Sequence, residues 1–223
     1  MIRGLPYDAE VEYLESTGTQ YILLNEYING FEGLVLPANN NDYGAVGNWN
    51  GGSRANTIKW TNTNNRGLVV TNNNNTNPVY SGNLKRDLLY VTVRGINVTI
   101  DGVPYTLGNS WGLHSQFLLF GCVSYGSSIS AAGTVTLQAC KIGSCKLYLN
   151  NVLVRDFIPV RVGTVGYMYD RVTRRLFGNS GTGGAFVLGP DKAVPILSLN
   201  RYGASRFGKI GAYPTLTPQG GTP

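Results

Sequence analysis

The side chains able to do chemistry are few, and their spacing limits what that chemistry is. Two carboxylates that hydrolyse a sugar must face each other about 5 to 9 Å apart, one as acid and the other as nucleophile or base. Glu10, Glu12 and Glu15 cluster at the entrance to a first strand. No aromatic-lined cleft is implied beside them, so they read as solvated edge charges. His114 is the sole histidine; Gly108-Asn-Ser-Trp-Gly just before it has the GxSxG spelling, but with no helical pattern following it no strand-to-helix elbow is written there, which leaves a packed or loop histidine rather than a triad member. Cys122, Cys140 and Cys145 form no CxxC pair, and with one histidine they make no transition-metal site. On one extended strand, Cys140 and Cys145 would stand roughly 17 Å apart, so they are expected as reduced structural thiols. Calcium is the one ion the composition suits, through Asn and Asp oxygens at a rim; no motif supports it, and Asp42 or Asp101 are bare candidates. Gly178 to Gly184 lacks the Lys-Ser/Thr of a phosphate loop and reads as a hairpin loop.

Sugar binding has better material. Tyr43, Trp49, Trp60, Tyr80 and Trp111 lie in or beside Asn-rich loops, and an aromatic platform with amide donors suits a hexose. Tryptophans flanking strands also serve simply as core, and both readings stay open.

These residues need a scaffold, and the pattern writes strands. In 223 residues there are 30 glycines and 14 tyrosines and only 13% charged residues, with no sustained apolar repeat at helical spacing. That length suits one all-β domain with a full core, with or without an appendage. Lys146 to Leu149 and Val152 to Ile158 flank Asn150-Asn151, the spelling of a tight hairpin. Apolar runs at Val11 to Glu15, Gln20 to Leu24 and Phe31 to Leu36 read as strands, the last stopping at Pro37. Residues 39–77 form an Asn-rich meander with apolar islands at Tyr43 to Trp49, Ile58 to Trp60 and Gly67 to Val70. Alternation over Leu89 to Arg94 and Ile96 to Ile100 gives a half-buried hairpin that turns again at Asp101-Gly102. Gln116 to Val123 reads as one strand covered on both faces. From Thr134 to Leu149 a period of two runs through Val135, Leu137, Ala139, Gly143, Cys145, Leu147 and Leu149, with a bulge or sheet switch expected near Lys141.

The formal charge of +6 is spread from Arg3 to Lys209, with Arg171, Arg174 and Arg175 the densest group. No helix or RNA-binding signature carries it, so charge-complementary packing on an acidic partner is favoured over nucleic acid. No window approaches a membrane span and no leader-like apolar run opens the chain, which gives the expectation of synthesis in a reducing cytoplasm.

Glu12-Tyr-Leu-Glu-Ser-Thr-Gly-Thr-Gln-Tyr-Ile, Phe117-Leu-Leu-Phe-Gly, Leu153-Val-Arg-Asp-Phe-Ile-Pro-Val-Arg, Gly166-Tyr-Met-Tyr-Asp-Arg-Val and Leu176-Phe-Gly-Asn-Ser-Gly-Thr-Gly resemble the laminin-G-like, concanavalin A-like domains of phage and prophage proteins from gut bacteria. The resemblance covers about residues 10 to 189 and implies a two-sheet antiparallel jelly-roll sandwich, with residues 1–9 as an N-terminal arm. It implies a non-enzymatic virion protein, a capsid-associated head fibre or decoration protein, made in the bacterial host and homo-oligomeric in the particle. A carbohydrate-binding adhesin, as a tail fibre or baseplate module, is the alternative. In this fold Pro159 would terminate its strand, and Asp170 would cap backbone amides beneath aromatic cover. Residues 190–223 lie outside the resemblance. They mix Pro, Gly and basic residues with isolated anchors and are expected to form an extended C-terminal arm docking on other virion proteins through Arg201, Tyr202, Arg206, Phe207, Lys209 and Tyr213.

Overall fold

A computed structural model describes residues 4–37, 44–50, 54–61, 67–71, 79–80, 88–113, 116–125, 134–137 and 139–193. Among these no helix forms, and nineteen strands build two sheets. The chain divides into two units, Met1–Asp191 and Lys192–Pro223, and the strands all belong to the first.

The larger sheet follows the order β11 (Val103–Thr106), β10 (Asn97–Ile100), β9 (Leu89–Arg94), β4 (Gly30–Pro37), β15 (Ala139–Leu149), β16 (Val152–Val162), β17 (Val165–Asp170) and β18 (Arg175–Phe177). Three short strands flank it: β1 (Ala9–Glu10) on β16, β2 (Leu14–Thr17) on β15, and β19 (Val187–Leu188) on β2. The smaller sheet runs β14 (Thr134–Leu137), β13 (Gly121–Tyr125), β5 (Gly44–Asn50), β6 (Arg54–Thr61), β7 (Gly67–Thr71) and β8 (Val79–Tyr80), with β12 (Phe117–Leu119) joining β5 and β3 (Ile22–Leu24). One core lies between the sheets: Phe31, Val91, Val93, Ile142 and Leu147 from the larger meet Val46, Ile58, Leu68, Val70 and Phe117 from the smaller. The two sheets form a β-sandwich.

The hairpin at Asn150-Asn151 forms as the sequence implies. Both asparagines are left-handed, with φ of 50° and 66°, which matches the twist of the flanking strands. The hairpins over residues 89–106 also form, with Leu89, Val91 and Val93 inward and Tyr90, Thr92 and Arg94 outward.

Four expectations are corrected. The run Gln116 to Val123 is two strands, because Phe120 sits at φ 65° and folds the chain back. Its ring is fully buried against Phe186, centroids 4.5 Å apart, and packing holds a corner that no turn residue marks. Strand β12 therefore pairs with β5 antiparallel and β13 pairs with the same β5 parallel, the one parallel pairing among the described strands.

Lys141 is not the break in β15. It points outward to Glu15 at 3.5 Å, while Cys140 and Ile142 face the core. The register shift against β4 falls between Ile142 and Cys145, after which Cys145 and Leu147 carry the inward phase. The switch between sheets falls between β14 and β15.

Pro159 does not end its strand. β16 continues to Val162, pairing with β17 throughout. The Pro159 carbonyl accepts the Val11 amide at 3.0 Å, on the flank where β15 has left off at Phe157 and β1 takes over. An antiparallel residue directs its N–H and C=O to the same side, so the missing donor falls in this gap between neighbours.

Lastly, the 178–186 segment is no hairpin loop, since β19 pairs with β2 and not β18. Asn179 ties this crossing to the start of β3, accepting the amides of Tyr21 (3.1 Å) and Gly181 (2.8 Å) and donating to the carbonyls of Gly183 (2.9 Å) and Gly184 (3.0 Å).

Close approach of the strands explains two glycines. Gly47 is at φ 128°, and a Cβ there would strike the Asn56 carbonyl. A Cβ at Gly33 would lie 2.7 Å from the Cys145 α-carbon and 2.8 Å from the Ser144 carbonyl, at the register shift.

Candidate functional site

Of the aromatic positions expected to hold a sugar, Trp49 lies on β5, Trp60 on β6 and Tyr80 on β8, all in the smaller sheet; their side chains, and Tyr43 as a whole, are outside the described residues. Trp111 is placed in full. It is 2% exposed, its indole N–H donates to the Thr71 carbonyl at 2.7 Å, and its ring leans on Phe117 at 6.2 Å. Both its faces and its polar handle serve the core, so it offers no open stacking surface. His114, Asp42 and the residues of the C-terminal arm, Arg201, Tyr202, Arg206, Phe207, Lys209 and Tyr213, also lie outside the described set.

Asp101 is used locally. Its carboxylate accepts the Tyr90 amide at 2.8 Å, tying the β10–β11 turn, where it sits at φ 49°, to β9. Among the described residues, no three His, Cys, Asp or Glu side chains converge as metal ligands. Cys140 and Cys145 are free and buried, and burial pushes both thiols up, helped at Cys140 by Glu15 and at Cys145 by Asp156 and Asp170. Of the clustered glutamates, Glu15 pairs with Lys141, whose ammonium also lies 4.5 Å over the Tyr13 ring.

One polar constellation among the described residues was not visible in the sequence. Glu32, in the middle of β4, lies opposite Thr92 on β9 and Lys146 on β15. The register gathers four donors on its carboxylate. The Tyr90 hydroxyl (2.8 Å) and Lys146 Nζ (3.0 Å) reach Oε1, and Arg94 Nη2 (2.9 Å) and the Tyr148 hydroxyl (3.0 Å) reach Oε2. The Arg94 guanidinium carbon lies over the Tyr148 ring, 3.0 Å from the centroid. Burial alone would raise the Glu32 carboxyl, but the hydrogen bonds from Tyr90, Lys146 and Tyr148 outweigh it and hold the group below its ordinary value. Tyr90 moves the other way: burial first and Glu32 second push its phenol up to about 12. With each oxygen accepting two fixed donors, Glu32 is committed to holding three strands together and is not poised as a base.

A second constellation closes the β16–β17 end. Asp170 is fully buried and accepts the amides of Asp156 (3.0 Å), Val172 (3.1 Å) and Thr173 (3.2 Å) and the Thr173 hydroxyl (2.6 Å). It caps backbone amides in the manner its sequence context suggested. Arg155 lies beside it, Nε at 3.6 Å, and pairs with Glu26 through Nη2. Asp156 holds Arg171 by two parallel bonds of 2.8 and 3.0 Å. The apolar outer face of β16 and β17 is covered by the chain's first described residues. Tyr7 is buried against Tyr169, centroids 5.2 Å apart, and packs with Ile158 and Val160.

Comparison with family models, curated proteins and solved structures finds no match to this chain.

Proposed function

We propose that the chain is a non-enzymatic display module of a phage particle. In this reading it is a jelly-roll, laminin-G-like domain of a capsid-associated head fibre or decoration protein, fixed to neighbouring virion subunits by residues 190–223. The resemblance in its motifs supplies the family. The observation that carries the non-enzymatic part is the state of its two best-held carboxylates. Glu32 and Asp170 each spend their oxygens on four donors from the chain itself, which is how a fold uses a carboxylate for cohesion. Imaging particles made without this protein tests the reading. Loss of a surface feature from the capsid is expected, and an unchanged capsid surface ends it.

Glycan binding is the second reading, favoured by one observation: Trp49, Trp60 and Tyr80 all fall on strands of the same smaller sheet. A glycan array with the whole protein, set beside Trp49→Ala and Trp60→Ala, decides it. Signal at background for the unmodified protein removes the idea.

A further inference from the structure

The turn from β17 to β18, Arg171 to Arg174, is built stiffly from beneath. Asp170 holds its amides at Val172 and Thr173, Asp156 grips Arg171, and the Arg174 amide returns to the Asp170 carbonyl at 2.7 Å. Arg174 itself is left-handed, with φ 58°. Glycine or asparagine fits that conformation with less strain, so the fold gives no reason for arginine there. Arg174 and Arg175 are both exposed, and neither side chain has an ion pair, hydrogen bond or ring contact among the described residues. Beside them Val172 is 48% exposed. The β15–β16 tip, with Val152 at 65%, stands at the same end of the sheet, since Phe157 of β16 lies opposite Asp170.

We propose that this turn is a docking knob for an acidic face of a partner protein, its two free guanidinium groups meeting carboxylates while Val172 and Val152 meet apolar side chains. A nucleic-acid backbone fits less well: it rewards a longer track of cations and leaves the exposed valines unmatched. Rigid support from Asp170 lowers the ordering cost of binding, and the guanidinium forks favour carboxylate geometry. The proposal uses neither the C-terminal segment nor the smaller sheet, so its failure leaves the display reading standing.

The test measures fluorescence anisotropy of the full chain with a labelled peptide of alternating Glu and Leu, and with a single-stranded oligonucleotide of equal charge. Arg174→Asn combined with Arg175→Gln is expected to weaken peptide binding at least tenfold while the melting temperature holds or rises. Lys59→Gln combined with Lys85→Gln, which removes the same net charge, is expected to change binding less than twofold. Arg174→Gly alone repeats the stability arm. Equal weakening in both double variants, tighter binding of the oligonucleotide, no peptide binding by the unmodified chain, or a lowered melting temperature in Arg174→Gly would each overturn the proposal.

Discussion

The Tyr90 hydroxyl donates to the Glu32 carboxylate over 2.8 Å, joining β9 to β4, and the bond displaces the titration of both partners in opposite directions. Glu32 is held below its ordinary 4.5, so it contributes stability that is present above that pH and is lost as the pH falls through its lowered value. Tyr90 is raised from 10.0 to about 12, so its contribution is full below pH 10 and fades as the pH climbs towards 12. Glu32→Gln should therefore remove the Glu32 share of the acid limb, lessen the alkaline limb, which burial of Tyr90 keeps in part, and cost about 1 to 2 kcal/mol at neutral pH, the part-exposed setting discounting a larger figure. Urea titrations from pH 3 to 11 measure this, and an unaltered acid limb in the variant would count against it.

Asp170 is the more severe position. It has no exposure and four donors, and Arg155 lies beside it. Asp170→Ala leaves three backbone amides unanswered and should cost about 3 to 5 kcal/mol. Thr173→Val removes one donor only and should cost about 1 kcal/mol. Chemical denaturation of the two variants gives the ranking, and a reversed order would contradict the geometry.

What the sequence disclosed was local. Asn150-Asn151 announced its turn because two left-handed residues in a row call for asparagine, and β9 announced its faces through Leu89, Val91 and Val93. The corner at Phe120 stayed hidden because a buried aromatic ring, not a turn residue, enforces it. The inward phase of β15 was misjudged ahead of the shift because a bulge exchanges faces without changing composition. Glu32, Tyr90, Arg94, Lys146 and Tyr148 come from three strands far apart in the chain, and only the register of β4 with both neighbours gathers them.

Gly47 and Gly33 are required by contact rather than by a turn. Gly47→Ala meets the Asn56 carbonyl at a positive φ, and it should destabilise by more than about 3 kcal/mol. Gly33→Ala presses on the Cys145 backbone and should cost about 1 to 3 kcal/mol. Thermal unfolding separates the two, and a Gly47→Ala protein as stable as the parent would show that the β5–β6 spacing is wrong.

Burial and the raised thiols of Cys140 and Cys145 predict silence towards alkylating reagents at neutral pH. Peptide mapping after iodoacetamide should find both unmodified in the folded protein and both labelled in denaturant. Labelling of Cys140 under native conditions would place it outside the core.

Where the folded unit ends is set by the packing and pairing of residues 186–191. Phe186 is buried on Phe120, Val187 and Leu188 pair with Glu15 and Leu14, and the Pro190 carbonyl accepts the Glu12 amide at 2.9 Å. Asp191 then bridges to Val11 and holds Arg161 through bonds of 2.7 and 2.6 Å. A chain ended after Ala193 keeps all of these and should melt within a few degrees of the full protein. One ended after Gly184 loses the Phe186 packing, about 3 to 5 kcal/mol for such a ring, together with the β19 ladder. Against a total stability of order 5 to 15 kcal/mol that loss should leave the shorter chain largely unfolded at 37 °C. Circular dichroism melts of the two truncations decide the matter: collapse of the Ala193 form would assign residues 194–223 to the domain's own core and remove the ground for reading them as a docking arm.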